Sequence, residues 1–284
     1  MTKNMTIDIH GRLFDLAYPQ VMGILNVTPD SFYAGSRSTE AQAIAARVGQ
    51  MLAEGASIID IGAVSTRPGA ADVSADEEKR RLETALHVVR TQFPDTVVSV
   101  DTYRADVASW CIDHFRADII NDVSGGADPP MYNVIARARV PYILMHGATG
   151  LGAATVPASA SEELLPGMLR FFADRIQRLH EEGVADVIID PGFGFGKTVQ
   201  DNFEVLRHLS DFHLFEKPLL VGISRKSMIY RALGITPDEA LNGTTVLNTL
   251  ALKAGAHILR VHDVKPAVEA VRLVHFPLNP NPQS

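Results

Sequence analysis

The chain has 284 residues, 46% hydrophobic and 21% charged, an ordinary balance for a globular protein and enough for one large α/β domain or two smaller ones. A net charge of −7 and a pI near 5.8, without any run of Lys or Arg, argue against a nucleic-acid or anionic-membrane surface as the main partner. The single cysteine, Cys111, excludes an internal disulfide and reads as buried filler, and no segment approaches the ~20 apolar residues of a membrane span, so a cytoplasmic location is expected.

Residues 1–18, with "MTIDIHGRLFDL", predict a short β-hairpin. Eight apolar runs of the buried-strand type follow: "VMGIL" from Val21, "SIIDI" from Ser57, "TVVSV" from Thr96, "DII" from Asp118, "YILM" from Tyr142, "DVIID" from Asp186, "PLLVGI" from Pro218 and "HILRV" from His257. They are rich in Ile, Val and Leu with little polar alternation, as parallel strands covered on both faces are. Helical patterns separate them. Ile44, Val48, Met51 and Leu52 share one face ahead of Gly55, a C-terminal cap. "SADEEKRRLETALHVV" opens with a capping box, Ser74 and Glu77, and carries Leu82, Leu86 and Val89 at helical spacing. Met168, Phe172, Ile176 and Leu179 form another stripe. Eight strand–helix units without a linker predict one (β/α)8 TIM barrel domain over residues 1–284, with a flexible tail at 277–284; an open doubly wound sheet is the alternative.

Every strand ends in polar residues: Asn26, Asp60, Asp101, Asn121, His146, Asp190, Ser224 with Lys226, and Arg260 with His262. In a barrel these ends converge on the carboxyl-terminal mouth, where such folds keep their sites. Asp101, Asp190 and Asn121 can hydrogen-bond a flat heterocycle rich in N–H groups, such as a purine or pterin edge. Arg67, Lys226, Arg260 and His262 are cationic and suit an oligophosphate, with "SRKSMIYRAL" running from strand directly into helix. The loops "NVTPDSFYAGSR" and "VSTRPGAADVS" are long enough to act as lids. "DPGFGFGKT", Asp190 to Thr198, is one glycine short of a phosphate-binding P-loop, because Pro191 stands at its first position.

The ordered motifs "NVTPDSF", "STRPGA", "SVDT", "INDVSGG", "DPGFGFGK", "GISRKSMI" and "ILRVHDV" resemble those of dihydropteroate synthases, (β/α)8 enzymes of folate biosynthesis, from about Val21 to about Val274. The resemblance implies that 4-aminobenzoate displaces diphosphate from (7,8-dihydropterin-6-yl)methyl diphosphate by a dissociative route, with Mg²⁺ assisting, and that sulfonamides, which mimic 4-aminobenzoate, are inhibitors. It implies that Asp101, Asn121, Asp190, Lys226 and Arg260 hold the pterin. It places Asn26 on the metal, and Arg67, Arg260 and His262 on the diphosphate. Thr66, Pro68, Phe195 and Ser227 would line the 4-aminobenzoate pocket. Asp101, Lys226 and Arg67 carry the catalytic roles. It also implies a homodimer, for which "LNGTTVLNTLALKAG" from Leu241 has a compatible apolar surface.

Three departures from the family pattern stand out: Ala34 where an Asp is usual, Ala63 and Val64 where Gly-Glu is usual, and a small-residue loop over 147–160. They lead to an expectation of altered lid closure or aminobenzoate discrimination. Two other functions compete on sequence: a catalytically silent pterin-binding paralogue, and a methyltetrahydrofolate-binding methyltransferase, which would have little need of "SRKS" and "RVHDV".

Overall fold

The computed structural model describes residues 5–28, 37–64, 73–147 and 161–276. Ala34, Thr66, Arg67, Pro68, most of the 147–160 loop and the 277–284 tail lie outside the described residues. An antiparallel hairpin, β1 (Thr6–Ile9) and β2 (Arg12–Asp15), precedes β3 (Gln20–Asn26), α1 (Arg37–Ala53), β4 (Ile58–Gly62), α2 (Ala75–Gln92), β5 (Val97–Asp101) and α3 (Ala105–Phe115). Then come β6 (Ile119–Asp122), α4 (Met131–Ala138), β7 (Tyr142–Met145), α5 (Ser161–Glu181), β8 (Val187–Asp190) and α6 (Val199–Arg207). After a 3-10 helix at Leu209–Phe215 follow β9 (Leu220–Val221), α7 (Ser227–Leu233), α8 (Leu241–Lys253), β10 (Ile258–Val261) and α9 (Val264–Val274).

Strands β3 to β10 pair in parallel in the order β8-β7-β6-β5-β4-β3-β10-β9. The ring closes where Ile189 bridges Leu219, with the Ile189 N–H donating to the Pro218 carbonyl at 2.9 Å. This is the expected (β/α)8 barrel, not an open sheet. The run from Pro218 forms only a two-residue strand; Pro218 has no N–H to give a ladder, and it joins the sheet through its carbonyl.

A period of two along each strand sorts side chains into barrel interior and helix shell. Facing out, Ile59, Ile61, Val98, Val100, Ile120, Leu144, Ile189 and Leu259 pack with the buried helix stripes, among them Ile44, Val48, Met51, Leu82, Leu86, Val89, Met168, Phe172 and Leu179. Leu52 and Ile176, expected on the same stripes, are only partly buried. Facing in, Met22, Ile58, Val97, Ile119, Ile143, Ile188, Leu220 and Ile258 form one apolar floor, one residue from each strand. Fully burying each such side chain stabilises by about 1.5–3 kcal/mol.

The hairpin closes the floor from below, with Ile7, Ile9 and Leu16 packed into the same cluster. It is anchored at both sides: the Asp8 N–H donates to Asp186 Oδ2 (2.9 Å), and His10 Nε2 lies 3.1 Å from Asp118 Oδ1. The expected capping box of α2 is only half made. Ser74 accepts from the Glu77 N–H at 3.3 Å, but the Glu77 carboxylate is bound by Arg80 and Arg81, stronger partners than a backbone amide.

Candidate active site

One pleat above the floor the interior becomes polar. The residues two positions on from Ile58, Val97, Ile119, Ile188 and Ile258 are Asp60, Ser99, Asn121, Asp190 and Arg260. Arg260 donates through Nε to Asp60 Oδ2 (2.7 Å) and through an Nη to Asp101 Oδ2 (2.6 Å), so one guanidinium bridges carboxylates of β4 and β5. Asn121 donates its amide to the same Asp60 oxygen at 3.2 Å. Asp60 is fully buried, and its Oδ1 has no hydrogen-bond partner among the described residues. Asp60 was expected at the mouth but with no ligand-binding role, although its place two residues past Ile58 matches those of Asn121, Asp190 and Arg260 on their own strands.

Burial pushes the Asp101 carboxyl up from 3.8 to about 7, with Arg260 opposing and Asp60 adding to the rise. Arg260 is desolvated too, but its two carboxylates outweigh that and hold it protonated. Burial raises Asp190, against the pull of Lys226. Asp190 Oδ1 accepts the Gly192 N–H at 2.8 Å, and no other hydrogen bond engages that carboxylate among the described residues.

Lys226 precedes α7 as its N-cap, so its charge stands before the first turn, not within it. It donates to the Phe193 carbonyl and sits 4.5 Å over the Phe195 ring. Burial lowers it from 10.5 to about 8, with Asp190 holding it up. Arg225 turns away from this region. It forms a two-pronged pair with Asp263 (2.7 and 3.0 Å) and donates to the carbonyls of Pro237 and Asp238. The expected cationic cluster is therefore a mixed one: Lys226 and Arg260 stand among carboxylates, and Arg225 clamps two loops.

Around the mouth, Asn26 is exposed at the end of β3. His262 Nδ1 meets Ser224 Oγ at 3.1 Å, and the Arg47 guanidinium binds the His262 carbonyl at 2.6 Å. Ser227 begins α7 and is half-buried. Val123, Met145, Tyr103 and Phe195 form a separate apolar patch. The structure thus brings together Asp101 and Arg260 with Asn121 through Asp60, and Asp190 with Lys226. Of the departures, Ala63 is fully buried with its carbonyl bound by Arg81 at 3.1 Å, and Val64 is half-buried.

The described residues contain no helix long and apolar enough to cross a membrane. Cys111 is buried, and burial pushes its thiol far above the usual range, as expected of filler.

The family model described as pterin binding enzyme matches residues 22–262. The dihydropteroate synthase of Escherichia coli (strain K12) is 39% identical over 277 residues, 97% of each chain. That of Bacillus subtilis (strain 168) is 38% identical over 284 residues, covering 98% of this chain and 96% of its own. Among solved structures, the Xanthomonas albilineans dihydropteroate synthase with 4-aminobenzoic acid superposes with a TM-score of 0.87 at 36% identity, over 95% of this chain and 97% of that one. The Coxiella burnetii enzyme in complex with pteroic acid gives 0.82 at 31% identity, over 95% and 97%. A barrel whose floor gives way to a layer of carboxylates, amide and guanidinium, matched in sequence and shape across nearly its whole length, belongs to the pterin-binding enzyme family.

Proposed function

We infer that this chain is a transferase that condenses (7,8-dihydropterin-6-yl)methyl diphosphate with 4-aminobenzoate, giving 7,8-dihydropteroate and diphosphate. The observation that carries this reading is the polar interior layer, in which a guanidinium shared by two carboxylates lies beside an amide and a second, largely unengaged carboxylate. A pterin presents a row of N–H donors on one edge, and Asp190 with Asn121 supply acceptors for it at the depth of the barrel. Lys226 and Arg260 complete the pterin pocket, and the Arg260 plane offers the ring a flat face.

The bond to break joins the pterin methylene to the diphosphate oxygen, and its electron pair leaves with the diphosphate. The remaining cation is delocalised over the pterin, where ionised Asp101 stabilises it before the aminobenzoate nitrogen adds and sheds a proton. Arg67, Arg260 and His262 are assigned to the leaving diphosphate, and Thr66, Pro68, Phe195 and Ser227 to the aminobenzoate. No side-chain nucleophile is needed.

Among the described residues no group of three His, Cys, Asp or Glu is arranged to hold a metal ion. The exposed Asn26 amide is a hard oxygen donor, and it fits magnesium, which takes one or two protein oxygens with water and substrate phosphate completing its shell. Magnesium bound there would offset charge on the departing diphosphate. A homodimer through α8 is part of the proposal, supported by its exposed Val246 and Leu250 and by Leu233 nearby in sequence. A reducing cytoplasm is the proposed setting.

The test is diphosphate release by the purified protein with both substrates and Mg²⁺, coupled to detection of dihydropteroate. Product formation dependent on both substrates is expected. Pterin binding without product would overturn the assignment in favour of a silent pterin binder.

A further inference from the structure

Lys197 ends the glycine-rich segment after β8, and its ammonium is spent on the backbone. Nζ donates to the carbonyls of Gly192 (2.9 Å), His146 (3.3 Å) and Phe195 (3.3 Å). An ammonium has three N–H donors, and these acceptors match them. The His146 carbonyl follows β7, whereas Gly192 and Phe195 belong to the loop after β8, so one cation ties two neighbouring loops together.

The cradle leaves no slack. A Cβ on Gly192 would stand 1.9 Å from the His146 oxygen, and one on Gly147 would stand 2.8 Å from Lys197 Nζ and 2.9 Å from the Phe195 oxygen. The charged groups around the ammonium are Asp190 and Asp201, which favour its charge, and Lys226, which opposes it; burial opposes it most and lowers it to about 7. The His146 ring beside it is pushed down to about 3 by burial and by Lys197, and stays neutral. Phe195 is thereby fixed twice, at its carbonyl by Lys197 and on its ring face by Lys226.

We propose that Lys197 is a positioning residue for the amine substrate: by gathering three carbonyls it holds the Phe195 ring in place as a wall of the 4-aminobenzoate pocket. This rests on the assignment of Phe195 to that pocket. Without the ammonium, three carbonyls lose their shared donor and the loop relaxes outward, which loosens the wall while the Asp190 contact to Gly192 stays.

The experiment compares Lys197→Met, Lys197→Gln and Phe195→Ala with the unaltered enzyme. It measures KM for 4-aminobenzoate and, separately, the Kd of the pterin substrate without 4-aminobenzoate. In Lys197→Met we expect KM for 4-aminobenzoate to rise about tenfold and the pterin Kd to change less than about twofold. Lys197→Gln, which keeps two N–H donors on a shorter stem, should fall between, and it carries the test if the Met variant does not fold. A KM that rises in Phe195→Ala but not in either Lys197 variant overturns the role of Lys197. An unchanged KM in Phe195→Ala overturns the pocket assignment instead. Equal losses of pterin and aminobenzoate binding in the Lys197 variants mean general loop collapse, and overturn the positioning role.

Discussion

Replacing Asp101 with asparagine should reverse part of the pH dependence of folding stability while removing most turnover. The Asp101 carboxyl is moved from 3.8 to about 7, first by burial and then by the nearby negative charge of Asp60, with Arg260 acting against both. A carboxyl whose folded pKa is raised favours the fold below its unfolded pKa, and that contribution is lost as pH climbs through the folded pKa. Between the two values the unfolded chain has released a proton that the fold retains, so stability falls by about 1.36 kcal/mol per pH unit. From about pH 4.5 to about pH 7.5 this amounts to an order-of-magnitude loss of about 3 kcal/mol, which asparagine does not suffer. The amide keeps an oxygen for the Arg260 Nη that now donates at 2.6 Å, so the comparison isolates the charge. Urea unfolding followed by circular dichroism at both pH values measures it. If the two proteins lose the same stability across that interval, burial of Asp101 does not act as described. Catalysis has the opposite preference, because only the ionised carboxylate stabilises a pterin cation: kcat/KM of the unaltered enzyme should fall on the acid side of about pH 7. An acid limb near the ordinary carboxylate range would refute the same reasoning from the kinetic side.

Asp60→Asn leaves Arg260 with one carboxylate, and should cost about 2–3 kcal/mol of stability in urea unfolding. It also removes a charge that raises Asp101, so the acid limb should move to lower pH; an unmoved limb would show that the two carboxylates are not coupled through Arg260. Gly192→Ala and Gly234→Ala share a φ of +67, but only the first places its Cβ 1.9 Å from a carbonyl, the second meeting nothing within 4 Å. Gly234→Ala should cost about 1 kcal/mol and Gly192→Ala several times that, with similar melting temperatures refuting the close packing of the β7 and β8 loops. For the Arg225 and Asp263 pair, a double-mutant cycle on kcat/KM with Arg225→Met and Asp263→Asn should give a coupling of about 1–2 kcal/mol, because each neighbours a site residue, Lys226 and His262. Additive losses would mean that the clamp does not set the spacing of those two loops.

The barrel was legible because parallel strands buried on both faces leave runs such as "YILM" and "DVIID" that no amphipathic helix leaves, and all eight expected strands form. Asp101, Asn121, Asp190 and Arg260 were legible as the polar residues that close those runs. Partners set by distance along the chain were not. Arg225 and Asp263 are 38 residues apart, and nothing local distinguishes Arg225 from Lys226 beside it. Lys197 was assigned no role from the sequence, because its partners are carbonyls, which every residue carries and no sequence displays. Asp60 was legible in the same way as a polar strand-end residue, but not as the partner of Arg260, 200 residues away along the chain.

The same two-residue spacing orders the chemistry along the barrel axis. Each step of two residues along a strand advances about 6.6–6.8 Å, somewhat less along the axis of tilted strands. The floor at Ile58, Ile119, Ile188 and Ile258 is dry, and the hairpin seals it from water on the far side. One step up stand Asp60, Asn121, Asp190 and Arg260; a further step reaches Asn26, Ser224 and His262, with Asp101 on β5. On the proposed assignment, with the pterin N–H edge bound at the polar layer, the ring points its methylene toward the row of His262 and Asn26, the groups assigned to the diphosphate and its metal. Recognition and bond breaking therefore fall on successive rows of the same strands. The dry floor sets how deep the ring can go, and the position of the reacting carbon follows from it. Of the departures from the family pattern, Ala63 and Val64 follow directly on β4, outside the rows that hold Asp60, Asn121, Asp190 and Arg260, so they leave the polar layer intact.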